Sequence, residues 1–416
     1  MKKKIGQKQF YLILILGLLT AIGPLSIDMY LPAFPDIAKG LHAPVSSVML
    51  SLSSFFIGIS VGQLIYGPLL ERFGRKRPLY FGLVIYALSS LACATTVTVD
   101  SLIIYRLFQA LGGCVGMVAA RAMVRDLFAV EDNAKIFSTL MLVVAVSPII
   151  APTLGGYITA YFGWRYIFGI LIFVIFIIIA GIYFLLPESK KPDPDFSLRP
   201  VSIFKSYISI IKHQQFAIYA FTGAIAYAGL YSYISGSPYV FMVLFKVSER
   251  HYGWIFTIIA AGLISASQFN NLLLRKYTSE QIIRSALFIQ NIIGIVLVST
   301  SIFGISELYS TIILILLFLS CQGFIFPNAS ALSMAAFGHN AGSASALMGF
   351  IQMSIGALMS AMVSFLHNGT SLSMTGIMAV CSISATIILS LGRRRILNKA
   401  SKILVEEEDV EMISTF

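Results

Sequence analysis

Long apolar runs dominate the pattern of this chain, and polar residues interrupt them only briefly. About twelve of these runs reach ~20 residues, the length that a helix needs to cross a ~30 Å hydrocarbon core. The stretch from Ile167 to Leu186 is apolar at nearly every position, whereas the strands of a membrane barrel alternate polar and apolar residues. The pattern therefore predicts an all-α membrane protein with twelve transmembrane helices.

One long polar stretch, from Pro187 to Gln215, divides the predicted spans six and six. The predicted organisation is an N-terminal six-helix half at 1–186, a cytoplasmic linker at 187–215, a C-terminal six-helix half at 216–392 and a cytoplasmic tail at 393–416. Two such halves are typical of internally repeated transporters, whose substrate lies near the midplane between halves that rock. Topology alone leaves any unrelated twelve-helix protein open.

Composition and charge agree with a lipid-facing exterior. The chain is 57% hydrophobic and 11% charged, whereas soluble domains carry roughly 25% charged residues. A net charge of +11 is also typical of nucleic-acid binding. However, most of the 29 lysines and arginines fall in one set of alternate loops, which by the positive-inside rule places both termini in the cytoplasm. We therefore predict a multi-pass bacterial inner-membrane protein without a nucleic-acid partner.

The sequence offers no pattern for nucleotide or metal chemistry. A GxxxxGK[ST] segment is absent, which excludes ATP hydrolysis by a P-loop on this chain. The four cysteines and five histidines show no metal-ligand spacing, and no cluster typical of a membrane-embedded enzyme is visible. We predict a protein that is not an enzyme, binds no metal or cofactor and draws its energy from a proton gradient.

Ionisable residues inside the predicted spans are few, and two of them lie at comparable depth. They are Asp28 in the first span and Arg106 in the fourth. Charges within a bilayer are costly and mark functional sites by default. An aspartate that faces an arginine across a cavity can bind and release a proton, because neutralising the carboxylate breaks the pair. We predict that these residues couple transport to protons; the alternative is an interfacial Asp28 without a partner.

A basic loop with one acid separates the second and third predicted spans. It is predicted to form a cytoplasmic charge cluster with an aspartate at the inner end of the fourth span, and a plain positive-inside loop is the alternative. We call this predicted cluster the cytoplasmic gate. Its members are Gly67, Glu71, Arg72, Gly74, Arg75, Lys76 and Asp126.

The fifth predicted span contains Pro148 and Pro152, one helical turn apart, followed by Gly155 and Gly156. A proline inside a helix removes a backbone hydrogen bond and bends the helix, and a glycine permits close contact with a neighbouring helix. Ser54, Gly58 and Gly62 form a stripe of small residues in the second span, which allows sliding or rocking but is explained equally well by ordinary tight packing.

Two segments of the first half resemble signatures of the major facilitator superfamily. Residues 67–79 are similar to its loop signature GxLxDRxGRKxxL, with Glu71 where an aspartate is usual. Arg106, Gln109 and Gly113 resemble its fourth-span motif RxxQGxG, whose arginine is implicated in proton transfer.

Further segments resemble twelve-span drug:proton antiporters of the Bcr/CflA branch. The fifth span is similar to the antiporter motif GxxxGPxxGG, with Ala151 where a glycine is usual. Residues 28–35, 121–126, 327–329 and 341–346 resemble the branch named for bicyclomycin and chloramphenicol resistance. The resemblance extends from the first span to the twelfth.

This resemblance implies the major facilitator fold and the export of small amphipathic drugs, of the bicyclomycin or chloramphenicol kind, in exchange for protons by alternating access. It also implies that Glu71, Arg75 and Asp126 form a cytoplasmic cluster that controls opening. Export of an endogenous metabolite, such as an amino acid or short peptide, stays open. Proton symport also stays open, because fold does not fix the direction of transport.

Neutral aromatic and amide side chains replace charges in the spans of the second half, which favours neutral or weakly charged ligands. We expect a monomer whose central cavity is lined by the first, fourth, seventh, tenth and eleventh spans. Its candidate substrate contacts are Tyr30, Gln109, Tyr231, Gln322 and Gln352.

Overall fold

A computed structural model describes residues 7–128, 130–194, 200–337 and 341–414 of the chain. Its α-helices are α1 (Gln7–Asp28), α2 (Phe34–Gly40), α3 (Val45–Phe73), α4 (Lys76–Thr95), α5 (Val99–Leu127), α6 (Val130–Phe162), α7 (Arg165–Phe184), α8 (Pro200–Lys212), α9 (Gln214–Pro238), α10 (Glu249–Leu273), α11 (Ser279–Ile302), α12 (Leu308–Met334), α13 (Ala341–Phe365) and α14 (Leu372–Ser414). A short 3₁₀ helix (Leu31–Ala33) follows α1, and a π-helical turn (Tyr239–Leu244) follows α9.

Within these residues, 12 helical segments are long and apolar enough to cross a membrane. This result confirms the predicted fold class. The first segment runs from Phe10 to Gly40, well beyond the end of α1, because Pro32 and Pro35 lack an N–H group and interrupt the helical hydrogen bonds without ending the apolar run. The seventh likewise includes the π-helical turn.

Large apolar side chains cover the exterior of the bundle. Phe81, Phe173 and Phe288 are each more than 60% exposed, and an apolar surface of this extent is stable only against lipid.

The two halves pack against each other mainly through two pairs of helices, α3 with α13 and α6 with α10. We call the end of the bundle where the first span begins and the twelfth ends the termini side, and the other end the opposite side. Small polar residues join α3 to α13: the Oγ atoms of Ser53 and Ser360 lie 2.9 Å apart, and those of Ser60 and Ser354 lie 2.7 Å apart.

The polar stretch between the halves contains the amphipathic helix α8. Ile210 of α8 is buried in a small apolar cluster that includes Phe216, Ala344 and Leu347 of α9 and α13. The helix α8 therefore packs against the second half. After the last span, α14 continues through the predicted tail to Ser414.

Candidate functional site

Asp28 is the last residue of α1 and lies between the two halves. It is 4% exposed, and among the described residues its carboxylate has no ion-pair or hydrogen-bond partner. Three titratable groups of the second half lie within electrostatic range of it, namely Tyr227 and Tyr233 of α9 and Tyr252 of α10. The carboxylate therefore faces hydroxyl groups of the other half.

Arg106 of α5 is fully buried inside the first half. Its Nη1 donates a hydrogen bond to Oε1 of Gln109 at 2.6 Å, and its Nη2 donates to the carbonyl of Ser26 at 3.0 Å. The guanidinium carbon lies 4.4 Å from the ring centre of Tyr30 and 4.0 Å from that of Phe55. Carbonyl, amide and aromatic groups thus surround this cation, and no carboxylate of the described residues pairs with it.

The structure does not form the expected contact between Asp28 and Arg106. Arg106 binds the carbonyl of Ser26, two residues before Asp28. The Ser26 side chain points into the first half, where its Oγ hydrogen-bonds with the Tyr86 hydroxyl. Positions two residues apart on an α-helix point about 200° apart, so the Asp28 side chain lies on the other face of α1. The rise per residue predicts the depth of each group, but it carries no information about direction around the helix.

Two candidate substrate contacts lie inside the first half. The Tyr30 hydroxyl hydrogen-bonds to Oγ of Ser51 at 2.7 Å, and Nε2 of Gln109 donates to Oγ of Ser90 at 2.7 Å. Both Tyr30 and Gln109 are 0% exposed. In this conformation they hold the helices of the first half together and do not line an accessible cavity.

Tyr231 does lie at the junction between the halves. Its ring centre is 4.7 Å from that of Phe56 on α3, and its hydroxyl accepts a hydrogen bond of 3.4 Å from Nε2 of Gln352. Tyr227 connects Tyr231, at 5.5 Å, to Phe326 of α12, at 4.6 Å. The five side chains make an aromatic cluster with one amide, and two of its members come from the predicted contacts.

The Nε2 of Gln322 donates to the carbonyl of Ala226, and its buried Oε1 has no partner among the residues that the structure describes. Gln352 also borders a narrow crevice between α9, α12 and α13. The crevice is lined by Tyr219, Ala220, Gly223, Ala224, Phe326, Ser330, Met348 and Gln352.

On the termini side, Arg75 brings together the acids predicted for the gate. Its Nε donates to Asp126 at 2.8 Å and its Nη1 to Glu71 at 3.0 Å. Burial lowers the pKa of Arg75, but its hydrogen bonds to Asp126 and Glu71 outweigh that effect and raise the pKa above its usual value. Arg75 therefore stays charged, and Lys190 adds a second ion pair to Glu71.

The segment after α7 contributes groups to this cluster that the sequence reasoning missed. The carboxylate of Glu188 accepts hydrogen bonds from the backbone N–H groups of Arg75, at 2.8 Å, and Lys76, at 3.1 Å. Gly74 has a φ of +80°, and a Cβ there would lie 3.1 Å from the Lys190 carbonyl. The sequence did offer a signal for these contacts, because an acid, Glu188, and a lysine, Lys190, follow directly after the sixth span.

The other two predicted gate residues lie on α3. Arg72 is partly buried in the last turn of the helix. A Cβ at Gly67 would have no heavy atom within 4 Å, so this conformation has room for a side chain there.

The paired glycines of α6 contact different halves. A Cβ on Gly155 would lie 2.1 Å from the carbonyl oxygen of Met29 in the first half, and one on Gly156 would lie 2.5 Å from the carbonyl oxygen of Glu249 in the second. Pro148 and Pro152 lie inside the same continuous helix. Backbone therefore packs directly on backbone on both sides of α6.

Further contacts between α6 and α10 close the opposite side. The hydroxyl of Thr257 donates to the carbonyl of Ile149 at 2.7 Å, and a Cβ on Gly253 would lie 2.8 Å from Cα of Thr153. Among the residues that the structure describes, no group of three or more histidine, cysteine or acidic side chains could hold a metal ion.

Comparison with known proteins places this arrangement among transporters. The sequence model described as Major Facilitator Superfamily matches residues 16–361. The chain is 33% identical over 388 residues to the uncharacterized MFS-type transporter YdgK of Bacillus subtilis, covering 92% of this chain and 95% of the relative. It is 30% identical to a bicyclomycin resistance protein homolog of Haemophilus influenzae, with 91% and 95% covered. A chloramphenicol resistance protein of Pseudomonas aeruginosa is 26% identical, with 91% and 89% covered.

Two solved structures show the same fold. A D-xylose-proton symporter aligns with a TM-score of 0.72 and 14% identity, over 91% of this chain and 97% of its own. The nucleoside transporter NupG aligns with a TM-score of 0.71 and 13% identity, over 93% and 99%.

Proposed function

Because this chain belongs to the major facilitator superfamily, we propose that it exports small amphipathic drugs in exchange for protons by alternating access. It is a multi-pass bacterial membrane transporter. In the proposal it lies in the inner membrane with the termini side in the cytoplasm. It acts as a monomer on a proton gradient, without a cofactor or a nucleic-acid partner.

The Asp28 carboxyl is the observation that carries the proposal. It is almost fully buried between the halves, with no counter-charge in contact among the described residues. Burying an ionised carboxylate without such a partner costs free energy. Proton uptake by Asp28 and closure of the halves around it therefore favour each other, and opening favours release. This linkage is what a proton-driven alternating-access transporter requires.

The aromatic cluster supports a neutral, partly aromatic cargo. Tyr227, Tyr231, Phe56 and Phe326 offer ring faces, and Gln352 offers an amide, within the junction. Sites of this kind bind ligands through apolar contact and a few placed polar groups. Relatives named for resistance to bicyclomycin and chloramphenicol support drugs of that kind as the first compounds to test.

Arg106 and the charge cluster have separate parts in the proposal. Arg106 holds the end of α1 by the Ser26 carbonyl, so it positions the segment that carries Asp28. The cluster of Glu71, Arg75 and Asp126 lies at the termini side, where it controls opening toward the cytoplasm.

Proton release from everted membrane vesicles tests the proposal. Vesicles with an established pH gradient are challenged with chloramphenicol, bicyclomycin and a panel of dipeptides. We expect a drug to dissipate the gradient, and we expect Asp28→Asn to abolish that response because an amide cannot carry the proton. Asp100→Asn is the matched control, since Asp100 is an exposed acid in the first turn of α5. Normal proton release in Asp28→Asn, or a response to dipeptides alone, would contradict the proposal.

A further inference from the structure

Asp28 is separated from the opposite side by a closed junction of backbone contacts. Gly155 packs on the Met29 carbonyl and Gly156 on the Glu249 carbonyl, so at these two points no side chain separates the helices. Under the proposed function, on which this inference rests, Asp28 must exchange protons with the opposite side. The structure therefore has to provide a route for protons that a closed backbone junction does not block.

Three buried hydroxyl groups of the second half lie on the inner side of this junction. The hydroxyl of Tyr252 and Oγ of Ser237 lie 2.8 Å apart, and both residues are 0% exposed. Tyr233 precedes Ser237 by one turn of α9 and is 1% exposed. Its hydroxyl lies beside the Ser237 side chain but forms no well-aligned hydrogen bond among the described residues. Buried polar groups are nearly always hydrogen-bonded, so an exception calls for an explanation.

The two ends of this hydroxyl series meet acids. At the buried end, the carboxylate of Asp28 lies within electrostatic range of Tyr233 and Tyr252. At the surface end, Glu249 is partly exposed and precedes Tyr252 by three residues on α10, which puts both on one helix face. Asp36 lies within electrostatic range of Glu249. The hydroxyl series therefore has two acids, Glu249 and Asp36, at its surface end and the buried acid Asp28 at its other end.

We propose that Glu249, Tyr252, Ser237 and Tyr233 form the route by which a proton passes between the opposite side and Asp28 while the two halves stay packed. A hydroxyl both donates and accepts a hydrogen bond. The Glu249 carboxyl gives up its proton to the first hydroxyl, and each hydroxyl in turn passes its own proton to the next group. The proton released by the last hydroxyl binds the Asp28 carboxylate. The hydroxyls are unchanged at the end, and one negative charge has moved from Asp28 to Glu249.

The other groups near Asp28 do not offer an equivalent route. Arg106 reaches α1 on the face that carries Ser26, and a guanidinium does not release its proton in proteins. Tyr227 lies within electrostatic range of Asp28, but its ring packs toward Tyr231 and Phe326. It therefore leads into the aromatic cluster and away from the opposite side.

Time-resolved infrared spectroscopy after a pH jump tests the route without any drug. The protein is reconstituted in vesicles with its opposite side outward, and the C=O stretch of the protonated carboxyl is assigned to Asp28 by its loss in Asp28→Asn. We expect Tyr252→Phe and Ser237→Ala to slow the appearance of this band on the order of 100-fold, the scale of losing one proton-transfer group. Its final amplitude should not change.

Two further variants separate a relay from a merely structural role. Tyr239→Phe removes a hydroxyl just past the end of α9, from a ring that packs 4.2 Å from His367, and should keep the wild-type rate. Ser237→Thr keeps the hydroxyl and should keep the rate as well. Wild-type rates in both Tyr252→Phe and Ser237→Ala would overturn the route and leave Asp28 as the proton site. A band that persists in Asp28→Asn would overturn the proposed function itself.

Discussion

Arg106 is a buried cation that neutral groups stabilise in place of an acidic partner. A carbonyl and an amide oxygen accept its hydrogen bonds, and the rings of Tyr30 and Phe55 lie against its plane. A planar guanidinium suits such a site, because it can donate in fixed directions and stack on rings at the same time. A lysine ammonium has neither property.

We expect Arg106→Lys to lower the free energy of unfolding by about 2 kcal/mol, the scale of a desolvated cation–π contact together with a charged hydrogen bond. Thermal denaturation in detergent measures this effect. Arg165→Lys is the matched control, because Arg165 also lies over a ring, Trp164, and donates to a carbonyl, that of Thr96, but is exposed. The decrease in the free energy of unfolding caused by Arg165→Lys should be below about 1 kcal/mol. An equal decrease in the free energy of unfolding in both variants would contradict the expectation that burial strengthens the contacts of Arg106.

Residue types could be read from the sequence, but side-chain directions could not. Asp28 and Arg106 stand out because charges are rare in apolar spans, and a rise of 1.5 Å per residue predicts their depth. Whether a side chain faces a cavity or its own half depends on which neighbours each helix contacts. For that reason Tyr30 and Gln109 were assigned to the substrate although they lie in the interior of the first half.

The two paired glycines of α6 have different neighbours. Gly155 meets α1 of its own half, and Gly156 meets the first residue of α10 in the other half. The sequence identifies a place of close helix contact here, since two glycines follow two prolines. It cannot tell which glycine touches which half.

We expect Gly156→Ala to open the opposite side, because its Cβ would lie 2.5 Å from the Glu249 carbonyl oxygen and the halves must separate to relieve this clash. In a variant without the native cysteines, a cysteine at Ser237 reports the change through faster reaction with a membrane-impermeant maleimide. Gly169→Ala is the control, since a Cβ there would have no neighbour within 4 Å and should leave the reaction rate unchanged. An unchanged rate in Gly156→Ala would show that the junction yields elsewhere.

The elements themselves were largely predictable from apolar length. All twelve spans follow from runs of about 20 apolar residues, and the structure has the same number. The helix α8 was missed, because its polar and charged residues share one short segment with apolar ones. Only contact with α9 and α13 gives its apolar face a place to pack.

At the scale of the whole molecule, the contact between α3 and α13 ties the halves together by hydroxyl pairs such as Ser53 with Ser360. Such pairs contribute modestly, because a neutral hydrogen bond has a net value of about 1 kcal/mol. A junction made this way can separate and close again without a large barrier.

A disulfide across this junction should stop transport. In a variant without the native cysteines, Ser53→Cys with Ser360→Cys joins the halves where the two Oγ atoms are 2.9 Å apart. We expect oxidation to abolish drug-dependent proton flux and a reductant to restore it. Ser301→Cys with Ser371→Cys is the matched control, since those Oγ atoms are also 2.9 Å apart but lie within one half. Full transport in the oxidised Ser53–Ser360 variant would argue against rocking halves.

The charge cluster of the termini side also determines where this polypeptide could be divided in two. Its members past the sixth span, Glu188 and Lys190, bond to the loop and helix end at Arg75 and Glu71, whereas α8 packs against α9 and α13. A break placed directly after α7 would remove those bonds from the first fragment. A break after Lys191 would leave the cluster whole in one fragment and α8 with its partners in the other. The connection between the halves therefore has one part bound to the first half and a second part, α8, bound to the second half. A chimera with a related transporter should be joined between these two parts.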